Sequence, residues 1–324
     1  MNKPELEEQR SAVPERDRYD LIIIGGGPAG LTAAVYASLL RMRAFLVTSN
    51  VGGQTVEGSK IENYMGYEFI SGQELVKKFQ DQLLQHNYLD HRITEITSVQ
   101  SFENHFLVTD KREAQYEASA VIIATGMRRR LLNVPGEERL QRQGVFYQHM
   151  EEGALVTGHE VAVVGGGNSA LQGASELSRI CPKVYVVSIG EWTADLAVRE
   201  EVESLGNVVA LKGYAVEEIW GDRRVSAVKV KCQETGKERY LQVHGVFIEI
   251  GWRPFADLVS SLVDLNARGE IQIRPDCSTS CPGIFAAGDV TDAFGKRVII
   301  ATGEGAKAAL SAHEYLMRRE KEGM

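Results

Sequence analysis

Two glycine-rich turns hold the chemistry most legible in this sequence. Gly25, Gly27 and Gly30 lie in Leu-Ile-Ile-Ile-Gly-Gly-Gly-Pro-Ala-Gly, residues 21–30. Four apolar residues before them predict a buried strand, and Leu31 to Leu40 predicts a helix. In such a strand–turn–helix the first glycine makes the tight turn and the second lets backbone approach a pyrophosphate. The third brings helix and strand together, and the helix N-terminus faces the phosphates. Gly165, Gly167 and Ala170 repeat the pattern in Val-Ala-Val-Val-Gly-Gly-Gly-Asn-Ser-Ala, residues 161–170. Leu171 to Ile180 reads as its helix and Val184 to Val187 as the next strand. Two units about 140 residues apart predict two dinucleotide-binding domains. One flavin and one nicotinamide is the common pairing for two such folds.

Other residues could touch a cofactor. A dinucleotide fold usually ends its second strand with an acid for a ribose hydroxyl. Ala44 to Thr48 predicts that strand, and Thr48 and Ser49 stand at its end. Gly52-Gly53-Gln54 and Glu62-Asn63-Tyr64 follow, either along a bound cofactor or as a plain loop. Gly288-Asp289 ends a short strand and suits a carboxylate reaching a sugar or ribityl hydroxyl. Thr302-Gly303-Glu304-Gly305 is read as opening a last helix, Ala306 to Arg318, as a helix N-terminus toward a cofactor or as tight packing. Cys277 and Cys281 are spaced as a conceivable redox pair, although Pro282 and the strand context favour ordinary loop cysteines. The seven histidines show no metal-ligand spacing, and no nucleophile–base pair for hydrolysis stands out.

Ser71 to Leu89 reads as a single amphipathic helix, with Ser71 and Glu74 as a capping box. Strand signals follow at Phe106 to Thr109 and Ala120 to Ala124, the latter ending in Thr125-Gly126, where a chain could change domain. Gly213 to Val230 and Glu238 to Glu249 read as strands, and Gly251-Trp252-Arg253-Pro254 as a return crossing. The 324 residues suggest about two domains. With 36 basic and 44 acidic residues the net charge is −8, which argues against a nucleic-acid-binding surface. No apolar run is long enough to span a membrane. Residues 1–18 are charged, unlike a signal peptide, and read as a flexible tail. Four cysteines make no disulfide framework, so a cytoplasmic setting is expected.

The order and spacing of these motifs resemble the low-molecular-weight thioredoxin reductase family, and within it the flavoproteins of alkyl hydroperoxide reductase systems. The resemblance runs from Asp20 to Arg318. It is carried by Gly25 to Gly30, Gly52-Gly53-Gln54, Glu62-Asn63-Tyr64, Ala124-Thr125-Gly126, Gly165 to Ala170, Gly288-Asp289 and Ala301 to Gly305. It implies an α/β fold of the pyridine nucleotide-disulfide oxidoreductase type, with two Rossmann-like, three-layer ββα domains. A discontinuous FAD domain would cover 19–127 and 252–324, and a nucleotide domain 128–251. FAD would touch Gly25, Gly27, Pro28, Ala29, Gly30, Gly53, Gln54, Asn63, Thr125, Gly126, Gly288, Asp289, Arg297 and Val298. NAD would meet Gly165, Gly167, Asn168 and Ser169. The resemblance also implies a homodimer whose domains swivel between two states.

The departures bear on function. Family members carry Cys-x-x-Cys before the second nucleotide strand, and here Gln148 and Glu151 fall on those positions. Neither side chain can exchange a disulfide, which needs a thiolate. Glu151 is read as a proton donor to the flavin or as solvated filler, and His149 as a residue that stacks on or protonates the flavin or simply packs. Relatives that use NADPH hold its 2′-phosphate with arginines, and here Ser188, Ile189, Gly190 and Ala194 stand there. NADPH is therefore disfavoured. Relatives that use NADH place an acid at the strand end, where Ser188 stands with Glu191 three residues on. NADH stays open through Gly165, Gly167 and Asn168, and so does a domain binding no nucleotide. Lys296 and Arg297 stand where relatives have Arg or Lys then Gln beside the flavin ring. The expected function is an FAD oxidoreductase without a dithiol. Its electrons would come from NADH, or from a protein donor such as ferredoxin, and pass to a small or protein acceptor such as oxygen, a quinone, ferredoxin or flavodoxin. The alternative is a flavin-binding regulatory protein that has lost both stations.

Overall fold

The structure is a computed structural model. It describes residues 18–58, 60–85, 89–147 and 149–322, without the side chains of Met150 and Glu151. The chain opens with β1 (Arg18–Gly26), α1 (Pro28–Leu39), β2 (Ala44–Val51), α2 (Gly72–Leu83) and β3 (Leu89–Ile93). β4 (Ile96–Ser101), β5 (Phe106–Asp110), β6 (Gln115–Ile123) and β7 (Met127–Arg129) follow. Next come β8 (Val145–Phe146), α3 (His149–Glu152), β9 (Val161–Val164), α4 (Asn168–Ser178), β10 (Val184–Ser188), α5 (Leu196–Ser204) and β11 (Val208–Lys212). β12 (Tyr214–Gly221), β13 (Val225–Cys232), β14 (Glu238–Gln242) and β15 (Gly245–Ile248) complete the middle of the chain. β16 (Trp252–Pro254), β17 (Ile284–Ala286) and α6 (Val298–Glu322) close it.

Two compact units result. Unit 1 joins the chain up to Arg128 to the stretch from Arg253 onward, and unit 2 is Arg129–Trp252. Unit 1 has a sheet in the order β3-β2-β1-β6-β5-β4, with β17 also on β6. β1 runs parallel to β2 and β6, and β4 and β5 are antiparallel. Leu21, Ile22 and Ile23 are fully buried because both sheet faces are covered. α1 begins with Pro28, whose missing N–H costs nothing at a helix start, and continues with Ala33, Ala34 and Ala37. These small residues let α6 approach: a Cβ on Gly305 would stand 2.1 Å from the Ala29 carbonyl oxygen.

Unit 2 has a five-stranded sheet in the order β11-β10-β9-β15-β8 and a three-stranded antiparallel sheet, β12-β13-β14. Ala162, Val164 and Val246 of the first share a core with Ile219, Val228 and Val230 of the second. Leu171, Ala174 and Leu177 of α4 cover the other face. This is a ββα layering, and the fold is α/β as the family resemblance implies.

Several elements differ from the sequence reading. α2 ends at Leu83, and Leu89 opens β3 beside β2 rather than ending a helix. Ser71 does cap α2, its Oγ accepting from Glu74 N at 3.2 Å. The stretch 238–249 divides between two sheets as β14 and β15. The last helix starts at Val298, so Thr302 to Gly305 lie inside it, where Gly305 provides the close approach to α1. Arg18, read as tail, pairs with Glu117 in the sheet, and residues 1–17 lie outside the described ones.

Candidate functional site

Unit 1 contains a cavity of about 810 Å3 outside the carboxyl ends of β1, β2, β3 and β17. In open parallel sheets that crevice is where ligands bind. Gly25 makes the turn with φ +115°, and a Cβ there would lie 2.3 Å from the Ala124 carbonyl oxygen. Gly27 stands at the start of α1 with nothing within 4 Å of a Cβ position, and no side chain caps the helix. Backbone N–H groups at the α1 N-terminus are thus open to an anion.

The structure brings Gly25, Gly27, Pro28, Ala29, Gly53, Gln54, Asn63, Thr125, Gly126, Gly288, Asp289, Arg297 and Val298 to this cavity. Gly30 is not among the lining residues. It packs behind the turn, where a Cβ would stand 1.8 Å from the Gly25 carbonyl oxygen. Gly52 N donates to Gly26 O at 2.7 Å, which brings Gly53 and Gln54 against the turn. Gln54 Nε2 donates to Met127 O at 2.9 Å. Asp289 is half-buried, and among the described residues its carboxyl has no hydrogen-bond partner. Burial raises its pKa against the opposing charges of Lys296 and Arg297. Arg297 donates to Lys296 O at 2.8 Å, and Lys296 pairs with Glu270 at 3.1 Å.

Sequence reasoning missed part of the lining. Thr94, Glu95 and Ile96 enter from the junction of β3 and β4, and of β3 the sequence reading held only Leu89, as the end of a helix. Thr94 is 3% exposed, and its hydroxyl has no partner among the described residues. Arg128 lies over the Phe255 ring, Cζ 3.3 Å from the centroid, and donates to Glu95 Oε1 at 2.8 Å. Thr48, which stands where such folds usually carry an acid, donates to Asn50 O at 2.5 Å. The open Gly27 seat, the orphaned Thr94 hydroxyl and the unpartnered Asp289 carboxyl fit a long, anionic, hydroxyl-bearing dinucleotide such as FAD.

Unit 2 repeats the turn. Gly165 has φ +144°, and a Cβ there would lie 2.3 Å from the Glu249 carbonyl oxygen. Gly167 has only Thr193 Oγ1, at 4.0 Å, near a Cβ position, and α4 also lacks a side-chain cap. Asn168 is turned sideways: its Nδ2 donates to Asp195 Oδ2 at 3.0 Å, and its Oδ1 accepts from Asp195 N at 2.8 Å. Ser169 is exposed on the first turn of α4. At the end of β10, Ser188 Oγ donates to Gly190 O at 2.7 Å. Glu191 is paired with Lys212 at 3.1 Å, and Lys212 also lies 3.5 Å from Glu203.

Of the two positions read as replacing the dithiol, Gln148 lies outside the described residues, and Glu151 is placed only by its backbone in α3. His149 is clearly positioned. Its Nδ1 is 3.0 Å from Glu249 Oε1 and its Nε2 is 3.6 Å from Glu176 Oε2. The hydrogen bond to Glu249 raises its pKa, opposed by burial. Just before it, Tyr147 N donates to Glu152 Oε2 at 3.0 Å and its hydroxyl to Glu137 Oε1 at 3.0 Å. Cys277 and Cys281 are both free thiols. Cys277 is fully buried with φ +65°, and burial pushes its thiol up to about 11. Among the described residues no cluster of metal-ligating side chains occurs, and no helix is long and apolar enough to cross a membrane.

The chain is 35% identical over 305 residues to the F component of the alkyl hydroperoxide reductase of Staphylococcus epidermidis, covering 94% of this chain and 60% of that protein. It is 34% identical over 311 residues to an NADH dehydrogenase of Bacillus subtilis, covering 95% and 60%. It thus spans about 60% of the length of these curated relatives. Among solved structures it resembles Lactococcus lactis thioredoxin reductase in the FR conformation, with TM-score 0.74, 31% identity and coverage of 93% and 99%. The profile of the pyridine nucleotide-disulphide oxidoreductase family matches residues 19–312. On these matches, and on its paired glycine turns, this chain belongs to the pyridine nucleotide-disulphide oxidoreductase family.

Proposed function

We propose that this protein is an FAD-dependent oxidoreductase that takes electrons from NADH and passes them to a small or protein acceptor without a protein dithiol. One observation carries the reading. Both units present the same uncapped helix start, with the first glycine of the motif against a neighbouring carbonyl and the second, Gly27 or Gly167, facing open space. Two pyrophosphate seats in one chain suit a flavin dinucleotide and a nicotinamide dinucleotide. When bound, FAD supplies a ring that accepts a hydride and releases electrons singly or in pairs.

The chain's own residues bind and orient. Gly27 and the α1 N-terminus receive the pyrophosphate, Asp289 accepts from polyol hydroxyls, and Thr94 offers its hydroxyl at the end of β3. Lys296 and Arg297 add positive charge to the cavity rim. Gln148 and Glu151 carry no sulfur, so electrons bypass the disulfide route of the family. Similarity to a B. subtilis NADH dehydrogenase supports NADH as donor.

A second reading is favoured by one observation. Ser188 and Glu191, the polar groups at the ribose end of β10, are both engaged by the chain itself. A unit 2 empty of nucleotide would leave a protein donor such as ferredoxin, or a non-catalytic role. Substituting each seat separates the readings. Gly27→Val should strip FAD and leave NADH binding intact, and Gly167→Val should do the reverse. NADH binding that survives Gly167→Val unchanged would contradict the assignment of unit 2.

A further inference from the structure

We infer that His149, Glu249 and Glu176 form a charge-sensing cluster that makes unit 2 discriminate NAD⁺ from NADH in a pH-dependent way. The inference rests on the nucleotide reading of unit 2 given above.

Topology places the cluster. In the order β11-β10-β9-β15-β8 the direction of winding reverses between β9 and β15, so a dinucleotide lies across that crevice. Its ribose end belongs to the β10 side, where Ser188 stands. The nicotinamide half therefore extends over the ends of β15 and β8. Glu249 directly follows β15, and its backbone carbonyl borders the Gly165 turn. His149 follows β8.

The cluster is built, not incidental. The side chains of His149 and Glu249 are 13% and 14% exposed and meet at 3.0 Å. The imidazole lies against Gly173 of α4, where a Cβ would come within 2.8 Å of Nδ1, so the helix is bare where the ring sits. Glu176, one turn on, approaches the other ring nitrogen at 3.6 Å. On the histidine's own segment, Glu152 accepts from Tyr147 N.

Two carboxylates around one imidazolium leave a net charge of −1, and deprotonation of His149 makes it −2. The nicotinamide ring carries +1 in NAD⁺ and none in NADH. The cluster therefore favours NAD⁺ over NADH, and more so once His149 is neutral. One unit of charge within about 10 Å, at an effective dielectric of about 20, shifts such a ratio on the order of tenfold. NADH gains its best relative affinity at low pH, and NAD⁺ is held more tightly as pH rises.

The test is calorimetric titration of NAD⁺ and of 1,4,5,6-tetrahydro-NAD, a neutral-ring stand-in for NADH that cannot give a hydride to the flavin, into the full chain from about pH 6 to about pH 9. The wild-type preference for NAD⁺ should rise on the order of tenfold across this range. His149→Gln should hold the high-pH ratio at every pH, and Glu249→Gln should shift the ratio toward NADH. The His149 ring resonances should titrate above the ordinary histidine range and fall in Glu249→Gln. A merely structural role would weaken both nucleotides in parallel. Binding of both nucleotides at a pH-independent ratio would overturn the inference and leave the function standing. Binding of neither nucleotide at any pH would overturn both.

Discussion

A Cβ on Gly30 would stand 1.8 Å from the carbonyl oxygen of Gly25, so the third glycine of the motif supports the first. The equivalent residue in unit 2 is Ala170, whose own Cβ lies 2.9 Å from a Cβ position on Gly165. α4 thus tolerates a methyl where α1 does not. Gly30→Ala should cost about 1–3 kcal/mol through forced backbone movement. Thermal melts should show a lowered Tm even in protein stripped of flavin.

Asp289 lines the unit 1 cavity without a hydrogen-bond partner among the described residues, and burial raises its pKa. A bound polyol hydroxyl would donate to the ionised form. Asp289→Asn should therefore weaken flavin about tenfold or more, given about 1.5–3 kcal/mol for hydrogen bonds to charged groups. In the wild type, flavin affinity should fall as pH drops through that raised pKa, and equilibrium dialysis of the flavin measures both effects.

Ser188 sits at the end of β10 with its hydroxyl turned to Gly190 O. A carboxylate there would accept from a ribose 2′-hydroxyl and repel a 2′-phosphate. Ser188→Asp should tighten NADH several-fold and leave NADPH no better bound, as read by fluorescence titration.

Cys277 is fully buried, and its thiol pKa lies at about 11. Its thiolate fraction at neutral pH is on the order of one in ten thousand, too small for fast disulfide exchange. The native protein should react slowly with a thiol reagent at this residue. Cys281→Ser should leave flavin reduction and reoxidation unchanged, as stopped-flow absorbance would show.

The pKa of His149 is raised in the folded protein, chiefly by the hydrogen bond to Glu249. Its stabilising contribution is therefore complete below the ordinary histidine value of about 6.5 and is lost as pH rises through the folded value. The stability gap between wild type and His149→Gln should be largest near about pH 5 and shrink toward alkaline pH. Chemical unfolding at a series of pH values measures it.

What the sequence made legible was local. The strand, turn and helix of each glycine motif fall within about 20 residues, so apolar runs and glycine spacing were sufficient. The end of α2 was missed because Leu89 continues an apolar rhythm, and only pairing with Ala44 makes it a strand. Gly303 and Gly305 resemble a helix start, but α6 runs through them, with Gly305 packed against Ala29 of α1. Arg128, Glu95 and Phe255 meet only once distant segments fold together. The His149–Glu249 pair is 100 residues apart in the chain and leaves no local signal.

The most direct measurement is anaerobic addition of NADH to the purified yellow protein, watching the visible band of oxidised flavin. An NADH-dependent flavoenzyme should bleach rapidly with NADH and little or not at all with NADPH at the same concentration. Bound flavin that stays yellow with NADH, yet bleaches with a reduced ferredoxin or with neither, would contradict the proposed electron path.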